Sequence, residues 1–454
     1  MNVAIACSPE DVHSVADRDE LENVTTVEAG EYPLSAARRF VEWSAEQNVR
    51  RSCWDASVAE RTVSQLCDIC PVVSSRLPTE LWERIIDFIT DYRLYDMRQL
   101  GQVGRGWYAR CRFHSHKVLE MGNMEKKQVY RLIKTLDEPP KRCRAIETVL
   151  FDFELKPIGH FGSFAVRMVQ KLPRVEFLKL WHCKWETGQL HTQVFLHVAL
   201  TFGSVIKLEL YDVMFPSAVV FGRLLRALPR LSTLNCLVVD FKKGCRGVGA
   251  VRVPGTLRLD AAELDGSGDV FDFLASIKVH LRHLICYGND LEKVPELLAV
   301  TAESLLSLEV RQLHKANSVN LTPAVNLRVL AIDGVLKDMA MAFWILSRAS
   351  LPKLVEVTIK SSLTDRPTAV SIQDILNSID DDFDDSFAQM DHSLSGSQFP
   401  ALRKVTFLLC YGIQFSHAPN NISEGSWRTL LSSKLPALYA SGRFLAEVPT
   451  LRVW

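Results

Sequence analysis

The sequence has no surplus of charge of either sign. Its 53 Lys and Arg balance 53 Asp and Glu, so the formal net charge is +0. A neutral chain has no global field to attract nucleic acid or a basic partner. No run of 18 uncharged apolar residues occurs, so no membrane-spanning helix is expected. The first residues, MNVAIACSPEDVHS, lack a basic segment ahead of their short apolar run and make a poor signal peptide. Cysteine lacks order: the 11 residues are scattered from Cys7 to Cys410, an odd number without regular pairing. That argues against a disulfide framework and for a reducing compartment, cytoplasmic or nuclear.

Catalytic signatures are missing as well. There is no Gly-x-x-x-x-Gly-Lys-Ser/Thr loop, no Gly-x-Ser-x-Gly elbow and no His-Glu-x-x-His pair. Cys67 and Cys70 form a lone Cys-x-x-Cys with no second pair at zinc-site spacing. His114 and His116 are two isolated ligands at most, and read better as a polar exit from a helix. Asn23 and Asn421 begin glycosylation sequons that matter only in a secreted chain. Neither an enzyme nor a cofactor is expected.

What is present begins at Leu77-Pro78. Pro lacks an N–H and has a fixed φ, so it suits the first turn of a helix. Glu80 and Glu83 then fall near the positive end of the helix dipole. Leu81, Trp82, Ile85, Ile86 and Ile89 recur as one broad apolar face. Leu94, Met97, Leu100 and Val103 continue the spacing in a second helix, and Trp107 and Tyr108 follow in a third. Three short helices cannot fill a deep core alone, so some of this apolar surface is expected to meet a partner.

From 144 onward one pattern recurs: apolar-x-x-apolar-x-apolar. It runs from Ile146-x-x-Val149-x-Phe151 through Val175-x-x-Leu178-x-Leu180 to Leu402-x-x-Val405-x-Phe407 and Val448-x-x-Leu451-x-Val453. A weaker copy centres on Leu257-x-Leu259, its start placed at Pro254. Most copies are 22 to 30 residues apart, and two gaps of 48 and 46 span two repeats or carry insertions. The paired apolar residues point inward from a short strand. Helical stretches with apolar stripes, such as TQVFLHVALTF and DMAMAFWILSRASLP, lie between the copies. Trp181, Trp185, Tyr211 and Phe215 fall in or just after strand positions, as core packing or as a binding platform.

Two resemblances follow. The pattern of Leu77, Pro78, Glu80, Leu81, Ile85, Leu100, Val103 and Trp107 resembles the F-box motif, over residues 75 to 116. The later pattern resembles a degenerate leucine-rich repeat, with most of its usual asparagines missing. Together they resemble a fungal-type F-box protein. The resemblance implies an α/β chain: a small three-helix F-box module followed by a leucine-rich-repeat solenoid, an irregular horseshoe.

The expected organisation is a disordered leader with helical stretches over 1–74, the F-box-like module over 75–116 and a linker helix over 117–143. The repeat array follows over 144–454. Near 363–399 an insertion breaks the rhythm, with SIQDILNSI as a helix and an acidic loop from Asp380 to Asp385 and through SLSGSQ.

The resemblance implies a non-catalytic substrate receptor of a Skp–cullin–F-box ubiquitin ligase. Leu77, Pro78, Leu81, Ile85, Val103 and Trp107 would dock a Skp-type adaptor and, through it, a cullin ligase. The array would hold a protein target that the sequence does not identify. No nucleic acid, membrane, metal or cofactor enters this reading. The competing reading is a repeat scaffold outside ubiquitin transfer, with the helical segment as an N-terminal cap.

Overall fold

The computed structural model describes residues 78–448 apart from 92–104, 123, 138–139, 155–157, 187–191, 245–256, 314–318, 336–338, 363–386 and 411–422. From Thr79 onward these residues form one compact unit. Twelve strands run through it: β1 (Val118–Gly122), β2 (Thr148–Asp152), β3 (Phe177–Lys184), β4 (Lys207–Phe215), β5 (Thr233–Phe241), β6 (Arg258–Asp265), β7 (His280–Tyr287), β8 (Ser307–Arg311), β9 (Val329–Val335), β10 (Glu356–Ser362), β11 (Lys404–Cys410) and β12 (Phe444–Glu447). All pair in parallel, and their order across the sheet is their order along the chain.

Parallel neighbours need a crossover, and here helices supply most of them. Gly159–Arg167, Thr192–Phe202, Ala218–Arg226, Gly268–Ser276, Val294–Thr301 and Met339–Arg348 each return the chain to the next strand. Their apolar stripes and the inward residues of the strands make one continuous core. Leu178, Leu180, Leu208, Leu210 and Leu234 are completely buried in it. This is a leucine-rich-repeat solenoid of the α/β class.

A left-handed residue interrupts the strands at one recurring position. His182, Asp212 and Val238 have φ of 49°, 50° and 55°, and Gly266 and Gln312 follow at 56° and 55°. Register aligns the five, since Trp181, Tyr211, Leu237 and Asp265 pair in a row and Tyr287 pairs with Arg311. In β3–β5 the extra residue shifts the two-residue alternation by one. Cys183, Val213 and Val239 therefore point inward after the kink, as do Trp185, Phe215 and Phe241. Those last rings extend an aromatic chain: Phe161–Trp185 at 6.0 Å, Trp185–Phe215 at 4.8 Å and Phe215–Phe241 at 6.1 Å between centroids.

Side chains beyond the strands replace the missing asparagine ladder. Ser267 Oγ accepts from Val239 N at 3.0 Å, Asp269 Oδ2 from Phe241 N at 2.7 Å, and Asp290 Oδ2 from Ser267 N at 3.2 Å. Each satisfies a neighbouring repeat's backbone N–H that would otherwise be buried unpaired. Burial pushes the Asp290 carboxyl above its ordinary range.

The repeats differ from the sequence reading in three places. The weak copy is Leu259-x-x-Ala262-x-Leu264, because Leu259, Ala262 and Leu264 pair with Leu281, Leu284 and Cys286. Ala at the middle position hides it, and Leu257-x-Leu259 mimics the motif out of register. A strand that the sequence pattern did not mark follows β11, with Phe444 and Ala446 paired with Val405 and Phe407, and the expected copy Val448-x-x-Leu451-x-Val453 falls almost wholly beyond it. Residues 449–454 lie outside the described residues. Of the two alternatives left open for the 48-residue gap, the structure has the insertion, since Glu356 pairs directly with Lys404. Finally, β1 adds a strand ahead of the first copy, in the stretch read as a linker helix, with Leu119 and Met121 beside Val149 and Phe151.

Part of the insertion is structured. Residues 387–395 form a helix with Phe387, Met390 and Leu394 buried. SLSGSQ is therefore the end of a helix and a turn rather than a loose loop. Gln398 Nε2 donates to the carbonyls of Leu346, Ser347 and Ala349 at 3.2, 3.0 and 2.7 Å, closing the end of Met339–Arg348. Buried Asp391 accepts from Ala437 N and Leu438 N at 2.9 and 2.7 Å, at the start of helix Pro436–Ala440. SIQDILNSI and Asp380 to Asp385 lie outside the described residues.

Candidate functional site

Two surfaces can meet partners. The first is a helix pair, α1 (Thr79–Asp91) and α2 (Arg105–Lys117). Pro78 is exposed and immediately precedes α1. One side of α1 turns inward: Ile86 is buried, and the Trp82 ring lies 5.0 Å from Trp107 of α2 at a tilt of 52°. Asp87 locks the pair. Arg110 donates to it twice, Nε to Oδ1 at 2.7 Å and Nη2 to Oδ2 at 2.6 Å, and His114 Nε2 lies 2.6 Å from Oδ1. Such a two-pronged guanidinium–carboxylate contact is strong and directional. Chiefly through the Arg110 hydrogen bond, and against burial, the Asp87 carboxyl is held at about 2.

The other side of α1 is open. Leu81 and Ile85 are 43% and 37% exposed, one turn apart. Tyr108 and Phe113 are exposed on α2. Trp82 Nε1 is buried and has no hydrogen-bond partner among the described residues. Of the six adaptor-docking residues expected from the sequence, Pro78, Leu81 and Ile85 are exposed at and along α1, whereas Trp107 packs against Trp82 between the two helices. Leu77 and Val103 lie outside the described residues, as does the second helix expected around Leu94 to Leu100. The sequence reading missed the Asp87–Arg110 lock, whose partners lie 23 residues apart.

The second surface is the open face of the sheet. Trp185 and Phe215 belong to the core, at 4% and 0% exposure, whereas Trp181 and Tyr211 are half-buried on the open face. Their rings meet at 6.2 Å, edge to face, and the His182 ring lies 4.9 Å from Tyr211. Further along, Arg311 binds Glu309 Oε1 through Nε at 3.0 Å. Its Nη1 lies 2.9 Å from both Glu263 Oε1 and Tyr287 OH. Lys360 Nζ adds a 2.9 Å bond to Glu309. Burial works to raise the Glu309 carboxyl, but the bonds from Lys360 and Arg311 outweigh it and hold it below its usual range. This network joins strands β6, β7, β8 and β10. Its only sequence signal is polar residues beside the inward leucines.

The two histidines of α2 have separate partners. His114 faces Asp87, while Arg112 Nε donates to His116 Nε2 at 3.2 Å. Among the described residues no group of three or more His, Cys, Asp or Glu is placed to hold a metal ion. Cys67, Cys70, Asn23 and Asn421 lie outside them. No helix among the described residues is long and apolar enough to cross a membrane.

No family model matches the chain, and no curated protein matches it. Among solved structures it is similar to the leucine-rich repeat-containing protein LegL7 from Legionella pneumophila. That match has 14% identity and a TM-score of 0.34, covering 74% of this chain and 92% of that one. It is also similar to a chain of the Rad7 and Elc1 complex in yeast, with 12% identity and a TM-score of 0.32, covering 87% of this chain and 98% of that one. The assignment as a leucine-rich-repeat solenoid rests on the strand order and register described above.

Proposed function

We propose that this protein is a non-catalytic substrate-recognition subunit of a Skp–cullin–F-box ubiquitin ligase. The helix pair docks a Skp-type adaptor and the solenoid binds a protein target. One observation carries this reading: Leu81 and Ile85 stand exposed on the side of α1 that does not pack on α2. They belong to the segment whose Leu-Pro-x-Glu-Leu opening and downstream Trp107 resemble an F-box. Holding adaptor and target on one scaffold turns their encounter into a nearly intramolecular one.

The test is capture of a Skp-type adaptor by the full chain carrying Leu81→Asp and Ile85→Asp. Both side chains are exposed, so the thermal melt stays in place while capture is lost. Undiminished capture overturns the proposal.

A second reading, a repeat scaffold unconnected to ubiquitin transfer, has one observation in its favour. Helix α2 runs directly into β1, the first strand of the sheet, as an end cap does. Deleting residues 75–116 then lowers the stability of the array, and the intact chain captures no adaptor.

A further inference from the structure

The kink in β3–β5 places two consecutive side chains per strand on the open face instead of one. In β4 these are Tyr211 and Asp212, and in β3 Trp181 and His182, all half-buried. Two residues on, Met214 is 38% exposed and pairs in register with Asp240, and Leu237 is 36% exposed. Aromatic rings, apolar side chains and carboxylates thus share one small area.

Two of its carboxylates are unpaired. Asp152 faces His182 at 3.0 Å, but Asp212 and Asp240 have no ion-pair partner among the described residues. Lys184 pairs with Met214 in the row that holds Asp240, and Lys242 follows two residues after Asp240, yet neither is ion-paired with these carboxylates, and Lys179 is held by Glu209 at 3.0 Å. The Asp240 carboxyl is raised above its ordinary range, first by burial and then by Asp269, Asp212 and Asp290. The carboxylates of Asp212 and Asp240 are therefore open to a cation brought by a partner. Aromatic faces beside carboxylates attract guanidinium and ammonium groups twice over, through the ring quadrupole and through charge. Lys179 Nζ already lies 5.7 Å from the Trp181 ring centroid.

The spacing favours an extended ligand. Asp240 is the diagonal neighbour of Asp212 across one parallel strand pair, and the strand spacing and rise set their Cα atoms roughly 8 Å apart. Alternate residues of an extended peptide are separated by about 7 Å. We propose that the open face of β3–β5, with Trp181 and Tyr211 beside Asp212 and Asp240, seats an extended segment of a partner protein whose alternate residues are arginine or lysine. This rests on the array binding a protein, which both readings above share, and not on adaptor docking.

The probe is a fluorescein-labelled Arg-Ser octapeptide, with a Glu-Ser octapeptide as its counterpart, titrated against the full chain by anisotropy. The Arg-Ser peptide binds and the Glu-Ser peptide does not. Asp212→Asn with Asp240→Asn, near-isosteric changes, weakens binding about tenfold. Asp240→Asn alone gives a smaller loss in the same direction and serves if the double variant melts early. Glu424→Gln, on the distant helix Glu424–Lys434, leaves binding unchanged. No binding of the Arg-Ser peptide, equal binding by the Asn variants, or an equal loss with Glu424→Gln overturns the inference. Adaptor capture by the same samples separates the two failures. If capture persists without peptide binding, only this inference falls; if peptide binding persists without capture, only the ligase reading falls.

Discussion

Val238 lies with φ 55° at the register position that Gly266 fills in the next strand, and its Cγ2 is 3.5 Å from where a Cβ on Gly266 would sit. One strand places at this position the residue that fits a left-handed backbone, and its neighbour places a β-branched one there. A non-glycine residue in that region costs about 1–2 kcal/mol, and asparagine tolerates it best. Val238→Asn is expected to raise the unfolding free energy by about 1 kcal/mol, read from the urea midpoint. Gly266→Val is expected to lower it by about 2 kcal/mol, since it adds the same strain and crowds Val238. A stabilised Gly266→Val would refute this account.

Gly288 has a different reason to be glycine. A Cβ there would lie 1.9 Å from the carbonyl oxygen of Gln312, a backbone atom that cannot swing away. Gly288→Ala should therefore force β7 and β8 apart at their ends, with a loss of at least about 2 kcal/mol. A melt within a degree of the parent would show that the neighbouring turn gives way freely.

The insertion between β10 and β11 is expected to behave as part of the core. Asp391→Ala removes the acceptor for two backbone N–H groups at the start of Pro436–Ala440 and should cost about 2 kcal/mol. Hydrogen exchange by mass spectrometry should then rise in residues 436–447 before it rises in β3–β5. Uniform protection would mean that Asp391 is dispensable.

Acid should loosen the helix pair. The Asp87 carboxyl titrates at about 2 in the folded chain, below the roughly 3.9 of an unfolded aspartate. A depressed carboxyl stabilises the fold above its unfolded value, and the contribution disappears as pH falls through the folded one. Exchange in residues 79–91 and 105–117, corrected for intrinsic rates, is expected to rise between about pH 4 and pH 2. The contribution is small, because the Asp87 side chain is 35% exposed and water screens the pair. Asp87→Asn should raise exchange at neutral pH and abolish the acid dependence. Retention of that dependence would assign it to another group.

Much of the array was legible in the sequence because its rule is local. Two inward apolar residues separated by one outward residue mark a strand wherever both are large, as at Leu178 and Leu180. The rule fails where alanine takes one of those places, as at Ala262 and Ala446, because a small side chain can line a crowded core. It fails again at β1, where Leu119-x-Met121 stands alone without the preceding apolar residue. The left-handed kink was hidden, since His182, Asp212 and Val238 share no chemistry. At the candidate sites, Leu81 and Ile85 were visible as an apolar face, but their exposure was not. Which residues of a helix face inward depends on Trp107 and Arg110, more than twenty positions along the chain.

The coincidence of sheet order with chain order has a consequence for assembly. Each strand needs only the one before it as a template, so no segment waits for a distant piece of chain to be made. During synthesis the sheet can grow from its N-terminal end, one strand per repeat, while the unfinished edge stays a single strand wide. Lengthening a crossover, as between Glu356 and Lys404, delays one step of that growth without altering the register on either side.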